Sequence, residues 1–150
     1  MRCVFIMMPI VMLSACQQAA PKSASIEHAW VRLPAVEGRP GAAYFTLHGG
    51  PVDDRLMSVS SPQAIKSEMH DMSMAGGIMK MAPINGGLAV PAKGKVTFES
   101  SGKHVMLFDV SPKVVSGGKM ALTFAMASGQ TLEADADVVT AGGDEPHHGK

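Results

Sequence analysis

Short alternating runs of apolar and polar residues cover most of the chain after residue 25 and predict β-strands. Gly, Pro, Asn and Ser separate these runs, and no stretch has the apolar repeat of a three-turn amphipathic helix. The predicted strands are IEHAWVRL, AAYFTLHG, DRLMSVSS, AIKSEMH, GIMKM, GLAVPA, KVTFES, HVMLFDV, KMALTFAM and TLEADADVV. Short strands at this spacing are typical of an antiparallel sandwich or a Greek-key barrel, so we expect an all-β domain.

The first sixteen residues differ from this pattern and are interpreted as a targeting segment. Arg2 precedes the apolar stretch Cys3–Leu13, which has the length of a signal-peptide core. A membrane-spanning helix needs about 20 residues, so this stretch is too short to be one. The letters LSAC, which end at Cys16, resemble the bacterial lipobox, in which the cysteine is acylated and becomes the mature N-terminus. An ordinary cleaved signal peptide is the alternative interpretation.

These features divide the chain into four predicted parts. Residues 1–15 form a lipoprotein-type signal peptide, and residues 16–25 form a lipidated tether that is polar and contains Pro and Ser. Residues 26–140 form the β-domain, and residues 141–150 form a disordered tail that contains His147 and His148.

Charge and aromatic content argue against nucleic acid as a partner. The chain has 13 basic and 13 acidic side chains, so it offers no basic surface for a phosphate backbone. Aromatic residues make up only 5% of the chain, which leaves little for stacking on bases.

The sulfur content of the mature domain consists of thioethers. Of the two cysteines, Cys3 is expected to leave with the signal peptide, and Cys16 would be capped by lipid. Five methionines lie within residues 68–81, although methionine specifies a packed core poorly. A thioether forms no disulfide in an oxidising compartment, so methionine is the soft ligand that persists there.

Two histidines and two methionines are predicted to converge on one metal ion. Strand alternation puts His104 and Met106 on the same face of HVMLFDV. A hairpin centred between Ala75 and Gly76 would place residue 70 opposite 81 and residue 72 opposite 79. The predicted ligands are His70, Met81, His104 and Met106. Thioethers are poor ligands for calcium, magnesium and zinc, whereas they favour Cu(I).

The other histidines and methionines are interpreted mainly as core or surface residues rather than as ligands of this ion. Met57, Met120 and Met126 are predicted to pack in the core, Met69 to point inward, and His28 and His48 to lie at the surface. We expect an apolar rim around the metal site, formed by Met72, Met74 and Met79. The alternative is that Met72 and Met79 are secondary metal ligands. His147 and His148 are a weakly specific candidate site for Cu(II).

The spacing of these histidines and methionines resembles that of the periplasmic PCu(A)C copper chaperones. Their signature is a His, ten residues, a Met, twenty-one residues and then His-x-Met. His70, Met81, His104 and Met106 match it, except that the central gap is 22 residues, with the extra residue best placed in INGG (84–87). Four further stretches resemble the family: AWVR (29–32), GAAYFTL (41–47), GGIMKM (76–81) and VPAKGKVTF (90–98). The resemblance covers roughly residues 25–140.

The resemblance implies a cupredoxin-like β-barrel with an exposed His/Met site for Cu(I). It further implies a non-enzymatic chaperone that delivers copper to the CuA subunit of cytochrome c oxidase, with a Sco-type copper protein as a further partner. We expect it lipid-anchored at the periplasmic face of a bacterial membrane, with a soluble periplasmic protein as the alternative. Copper sequestration for tolerance is the alternative function. A blue-copper electron carrier is excluded, because the mature domain offers no cysteine thiolate.

Overall fold

A computed structural model describes residues 23–146, and these residues form ten β-strands. The predicted signal peptide, Cys16, most of the tether, His147 and His148 lie outside the described residues. The strands are β1 (Ser25–Arg32), β2 (Gly41–His48), β3 (Asp54–Ser60), β4 (Ala64–Ala75), β5 (Ile78–Pro83), β6 (Leu88–Val90), β7 (Lys95–Phe98), β8 (His104–Val110), β9 (Lys119–Met126) and β10 (Thr131–Val139). All ten strands predicted from the alternation are present.

The strands join into one sheet with the order β5-β4-β8-β2-β1-β10-β9-β3-β6, and β7 also pairs with β2. The β1–β10 pair is parallel, and the other pairs are antiparallel. β3 and β4 are far apart in this strand order, and yet the Ser67 hydroxyl of β4 donates a hydrogen bond to the Val59 carbonyl of β3. The sheet must therefore curl over itself. Within residues 23–146 there is no helix long and apolar enough to cross a membrane.

A single apolar core lies inside the curled sheet. Phe45 stacks on Phe98 with ring centroids 4.2 Å apart, and Phe124 meets Phe45 edge-on at 4.7 Å. All three rings are almost completely buried, and full burial of such a side chain stabilises the fold by about 1.5–3 kcal/mol. The alternation of β2, β8 and β9 is therefore explained by side chains that point into this core.

Two of the stretches that resemble the copper chaperones are explained by packing. Trp30 of AWVR packs on Tyr44 of GAAYFTL with ring centroids 4.3 Å apart, and the Arg32 guanidinium lies over both rings. The Nε of Arg32 also donates to the carbonyl of Gly143 at 3.0 Å, which connects the C-terminal segment to β1. Burial raises the pKa of the Tyr44 hydroxyl.

The predictions for isolated methionines and histidines are mostly confirmed. Met120 and Met126 are buried in the core, and Met69 points inward as its strand parity required. The prediction that Met57 packs in the core is wrong, since this residue is 44% exposed. It lies in the irregular part of the β3–β9 ladder between Leu56 and Ser58, where simple alternation fails. His28 is exposed and has a φ of 52° in the bulge of β1.

Candidate metal centre

The methionine-rich segment forms a tight hairpin whose register differs from the prediction. β4 and β5 are joined by Gly76 and Gly77, and Ala75 is opposite Ile78. Both glycines have positive φ, 61° and 79°, as a two-residue type I′ turn requires. The centre of the hairpin therefore lies between the two glycines, so the predicted pairs of His70 with Met81 and Met72 with Met79 are wrong. His70 is opposite Pro83, Met72 is opposite Met81, and Met74 is opposite Met79.

The predicted ligands nevertheless share one face of the sheet. The shift of the hairpin centre by one residue moves each pairing by two positions, which leaves the side-chain faces unchanged. β4 also pairs with β8, with His70 directly opposite His104 and Glu68 opposite Met106. Because opposed residues point to the same side, His70, Met81, His104 and Met106 lie on one face, together with Met72.

The two histidines form the centre of this face. Their ring centroids are 6.0 Å apart, and both side chains are largely buried. The Nδ1 of His104 lies 3.0 Å from the carbonyl of Gly102, which can only accept, so Nδ1 donates and Nε2 keeps its lone pair. The Nε2 of His70 lies 3.2 Å from Glu68, whose carboxylate is also an acceptor. His70 therefore keeps its lone pair on Nδ1, which is buried and has no hydrogen-bond partner among the described residues.

Glu68 is a candidate supporting residue of the site that the sequence analysis did not identify. Its carboxylate accepts hydrogen bonds from Lys66 at 2.6 Å and from His70, and these bonds lower its pKa. It therefore stays charged near neutral pH and holds the ring of His70. A metal-binding histidine commonly donates its second ring nitrogen to such a carboxylate. The signal was present in the sequence, since Glu68 lies two positions before His70 on one strand and must share its face.

The thioethers surround the histidines on both sides. Met106 is diagonal to His70 on β8, and Met81 is diagonal to His70 on β5, in the opposite direction along the strand. Met72 follows His70 on β4, is diagonal to His104 and is directly opposite Met81. Diagonal neighbours have Cβ atoms about 7–8 Å apart, within reach of long side chains. The register therefore makes Met72 a rival of Met81 for the position beside the histidines.

The donors on this face suit a soft ion. Two imidazole lone pairs and nearby thioethers are available, and soft sulfur ligands select Cu(I). Among residues 23–146, no three His, Cys, Asp or Glu side chains come together as a metal-binding group. The orphaned and buried Nδ1 of His70 is an atom that needs a partner, and a metal ion on this face would supply one.

Solved structures with the same fold define the class of domain. The copper-bound PCuAC domain from PmoF2 is 23% identical, with a TM-score of 0.64 over 81% of this chain and 96% of that chain. The Cu(I) form of DR1885 from Deinococcus radiodurans is 26% identical, with a TM-score of 0.54 over 84% of this chain and 83% of that chain. The apo form of DR1885 is 25% identical, with a TM-score of 0.53 over 93% and 95%. The expected PCu(A)C-type, cupredoxin-like β fold is thereby confirmed.

Residues 24–138 match the family model described as "Putative lipoprotein LpqE-like". The chain belongs to this LpqE-like family. No curated protein sequence matches the chain.

Proposed function

We propose that the protein binds Cu(I) and carries it as a copper chaperone, through His70, His104, Met106 and Met81. The observation that supports this most directly is the opposed pair of buried histidines, each with one lone pair left free, on a face lined by thioethers. Cu(I) accepts such a mixed nitrogen and thioether set. The similarity to the Cu(I) form of DR1885 supports the same cargo.

The proposed ligand set suits transfer rather than permanent storage. All four ligands are neutral, and neutral thioethers hold Cu(I) less strongly than thiolates do. Transfer of the ion to an acceptor with thiolates is therefore favourable. Met81 is 51% exposed, so an acceptor can reach this side of the site. These features favour a binding and delivery protein, and we infer no catalytic role for the domain.

The resemblance to the copper chaperones supports a proposal for the recipient. We propose delivery to the CuA subunit of cytochrome c oxidase, directly or together with a Sco-type copper protein, from the periplasmic face of the membrane. The lipoprotein family and the Cys16 lipobox support a lipid anchor.

Copper sequestration through the same site is the second candidate, because the exposed thioethers bind copper whether or not a recipient exists. In a deletion strain, loss of oxidase CuA at low copper indicates delivery, whereas copper sensitivity alone indicates sequestration.

Anaerobic Cu(I) titration of the purified protein against a competing chelator tests the site. M106L and M81L keep volume and apolarity but remove sulfur, so each should keep the fold and lower the Cu(I) affinity. M72L, compared with M81L, identifies which of these opposed residues supplies the fourth ligand. M57L is the matched control, since Met57 is an exposed strand methionine outside this face. Equal losses in M57L and M106L would contradict the site.

A further inference from the structure

The outer end of the β4–β5 hairpin carries thioethers that the fold does not need. Met74 and Met79 are opposite each other beside the two-glycine turn, and their exposed fractions are 67% and 46%. Neither residue belongs to the described apolar core or packs against it. Met69, by contrast, lies on the other face of β4 and is buried in that core. Core packing therefore does not explain Met74 and Met79.

The two faces of this hairpin differ in chemistry. The face opposite the thioethers holds Asp71, Ser73, Ala75, Ile78, Lys80 and Ala82, and therefore no sulfur. Asp71 pairs there with Lys103. The other face, from Met72 to the turn, presents methionine at all four strand positions. Met74 and Met79 are exposed, so they gain little of the stabilisation that burial of an apolar side chain provides. Between Met72 and Met81 all of the sulfur therefore lies on one face of the hairpin, where the four thioethers are close enough to act together.

The register gives three of these sulfurs a geometry that fits one ion. Met74 and Met79 are directly opposed, which places their Cβ atoms about 5 Å apart. Met72 is two positions before Met74, and Met81 is two positions after Met79, each about 7 Å along its own strand. Either one completes a right-angled triangle of Cβ atoms whose longest side is about 8–9 Å. A methionine side chain is long enough to bring its sulfur above the middle of such a triangle.

We propose that Met74 and Met79, with a third sulfur from the opposed pair Met72 and Met81, form a second, thioether-only site for Cu(I). The pair Met72–Met81 lies between this outer site and the histidines, so one of its sulfurs serves each site. Copper bound at the exposed outer site can then move by exchange of one thioether at a time. Its use as an entry point rests on the proposed function, whereas the binding of a soft ion by three thioethers does not.

The test uses methionines labelled with ¹³C in their methyl groups, in the full mature chain. Ag(I), as a redox-stable substitute, and then Cu(I) under anaerobic conditions are titrated to two equivalents. The methyl signals of Met74 and Met79 should shift, together with the ring signals of His70 and His104. In M74L/M79L the ion stoichiometry should fall by one while the histidine signals still respond, because leucine keeps the face apolar and removes only sulfur. M57L should behave as the wild type does.

The outcomes separate the two proposals. Silent Met74 and Met79 methyl groups, or an unchanged stoichiometry in M74L/M79L, would overturn the outer site, and an apolar docking face would be the better explanation. Responsive methyl groups with silent histidine rings would support the outer site and contradict the proposed histidine site. H70A/H104A gives the same distinction, since its methyl response should persist. If that variant does not fold, the wild-type titration still decides the question.

Discussion

At the scale of single residues, Glu68 decides which nitrogen of His70 is available to a metal. Its carboxylate lies 3.2 Å from Nε2, which leaves the buried Nδ1 as the free base. We expect E68Q to weaken Cu(I) binding by about 10-fold, since loss of such a supporting carboxylate typically has an effect of that size. The glutamine amide can also donate, so the preference for one tautomer of His70 should be lost. Competitive Cu(I) titration and ¹⁵N shifts of the His70 ring measure the two effects.

A second glutamate–histidine pair provides the control for E68Q. Glu27 contacts the Nε2 of His48 at 2.9 Å, and this pair lies on β1 and β2, away from the thioethers. E27Q should leave Cu(I) affinity unchanged. An equal loss in E27Q and E68Q, or an unchanged His70 tautomer in E68Q, would show that Glu68 does not position the ring.

At the scale of elements, the hairpin of β4 and β5 depends on its two glycines. Replacement of Gly76 and Gly77 by alanine should cost about 1–2 kcal/mol at each position, because L-residues disfavour positive φ. An added Cβ would meet no described atom within 4 Å at either position, so the cost is backbone strain alone. Hydrogen exchange of the amides in β4 and β5 should become faster, while the amides of β9 should be unaffected. G76N is the control, since asparagine tolerates this turn conformation.

The hairpin also shows how far the sequence predicted the structure. Alternation predicted all ten strands and the shared face of His104 and Met106, because both depend only on the period of two. The predicted shared face of His70 and Met81 is confirmed because the error in the hairpin moved the pairing by two positions, which keeps the face. The register was wrong because the two glycines were assigned to the wrong positions, although a type I′ turn needs both at its centre. The pairing of Met72 with Met81 depends on that register, and the pairing of His70 with His104 depends on the long-range contact of β4 with β8. Periodicity within one strand contains no information about either.

At the scale of the whole molecule, the proposed lipid anchor determines where copper is handled. If LSAC is a lipobox, the mature chain begins at Cys16 and partitions with membranes. C16S should then release or mislocalise the protein without changing Cu(I) affinity, because Cys16 precedes the β-domain. Membrane fractionation and mass spectrometry of the mature N-terminus measure this. An unmodified cysteine and cleavage at another position would contradict the anchor.

Acid stability of the whole domain should depend on Asp54, which joins the start of β3 to the turn between β9 and β10. Its carboxylate accepts hydrogen bonds from the hydroxyl of Ser128 at 2.6 Å and from the backbone N–H groups of Arg55 and Ser128. The Ser128 hydroxyl and these N–H groups lower the pKa of Asp54 below its ordinary value of 3.8. The folded state therefore binds this proton less readily than the unfolded state does. The resulting stabilisation is present above the ordinary pKa and is lost as the pH falls through the lowered value.

The difference in Tm between the wild type and D54N should accordingly be largest near pH 6 and shrink toward pH 3. S128A should show the same trend with a smaller amplitude. A difference that does not change with pH would contradict this account of Asp54.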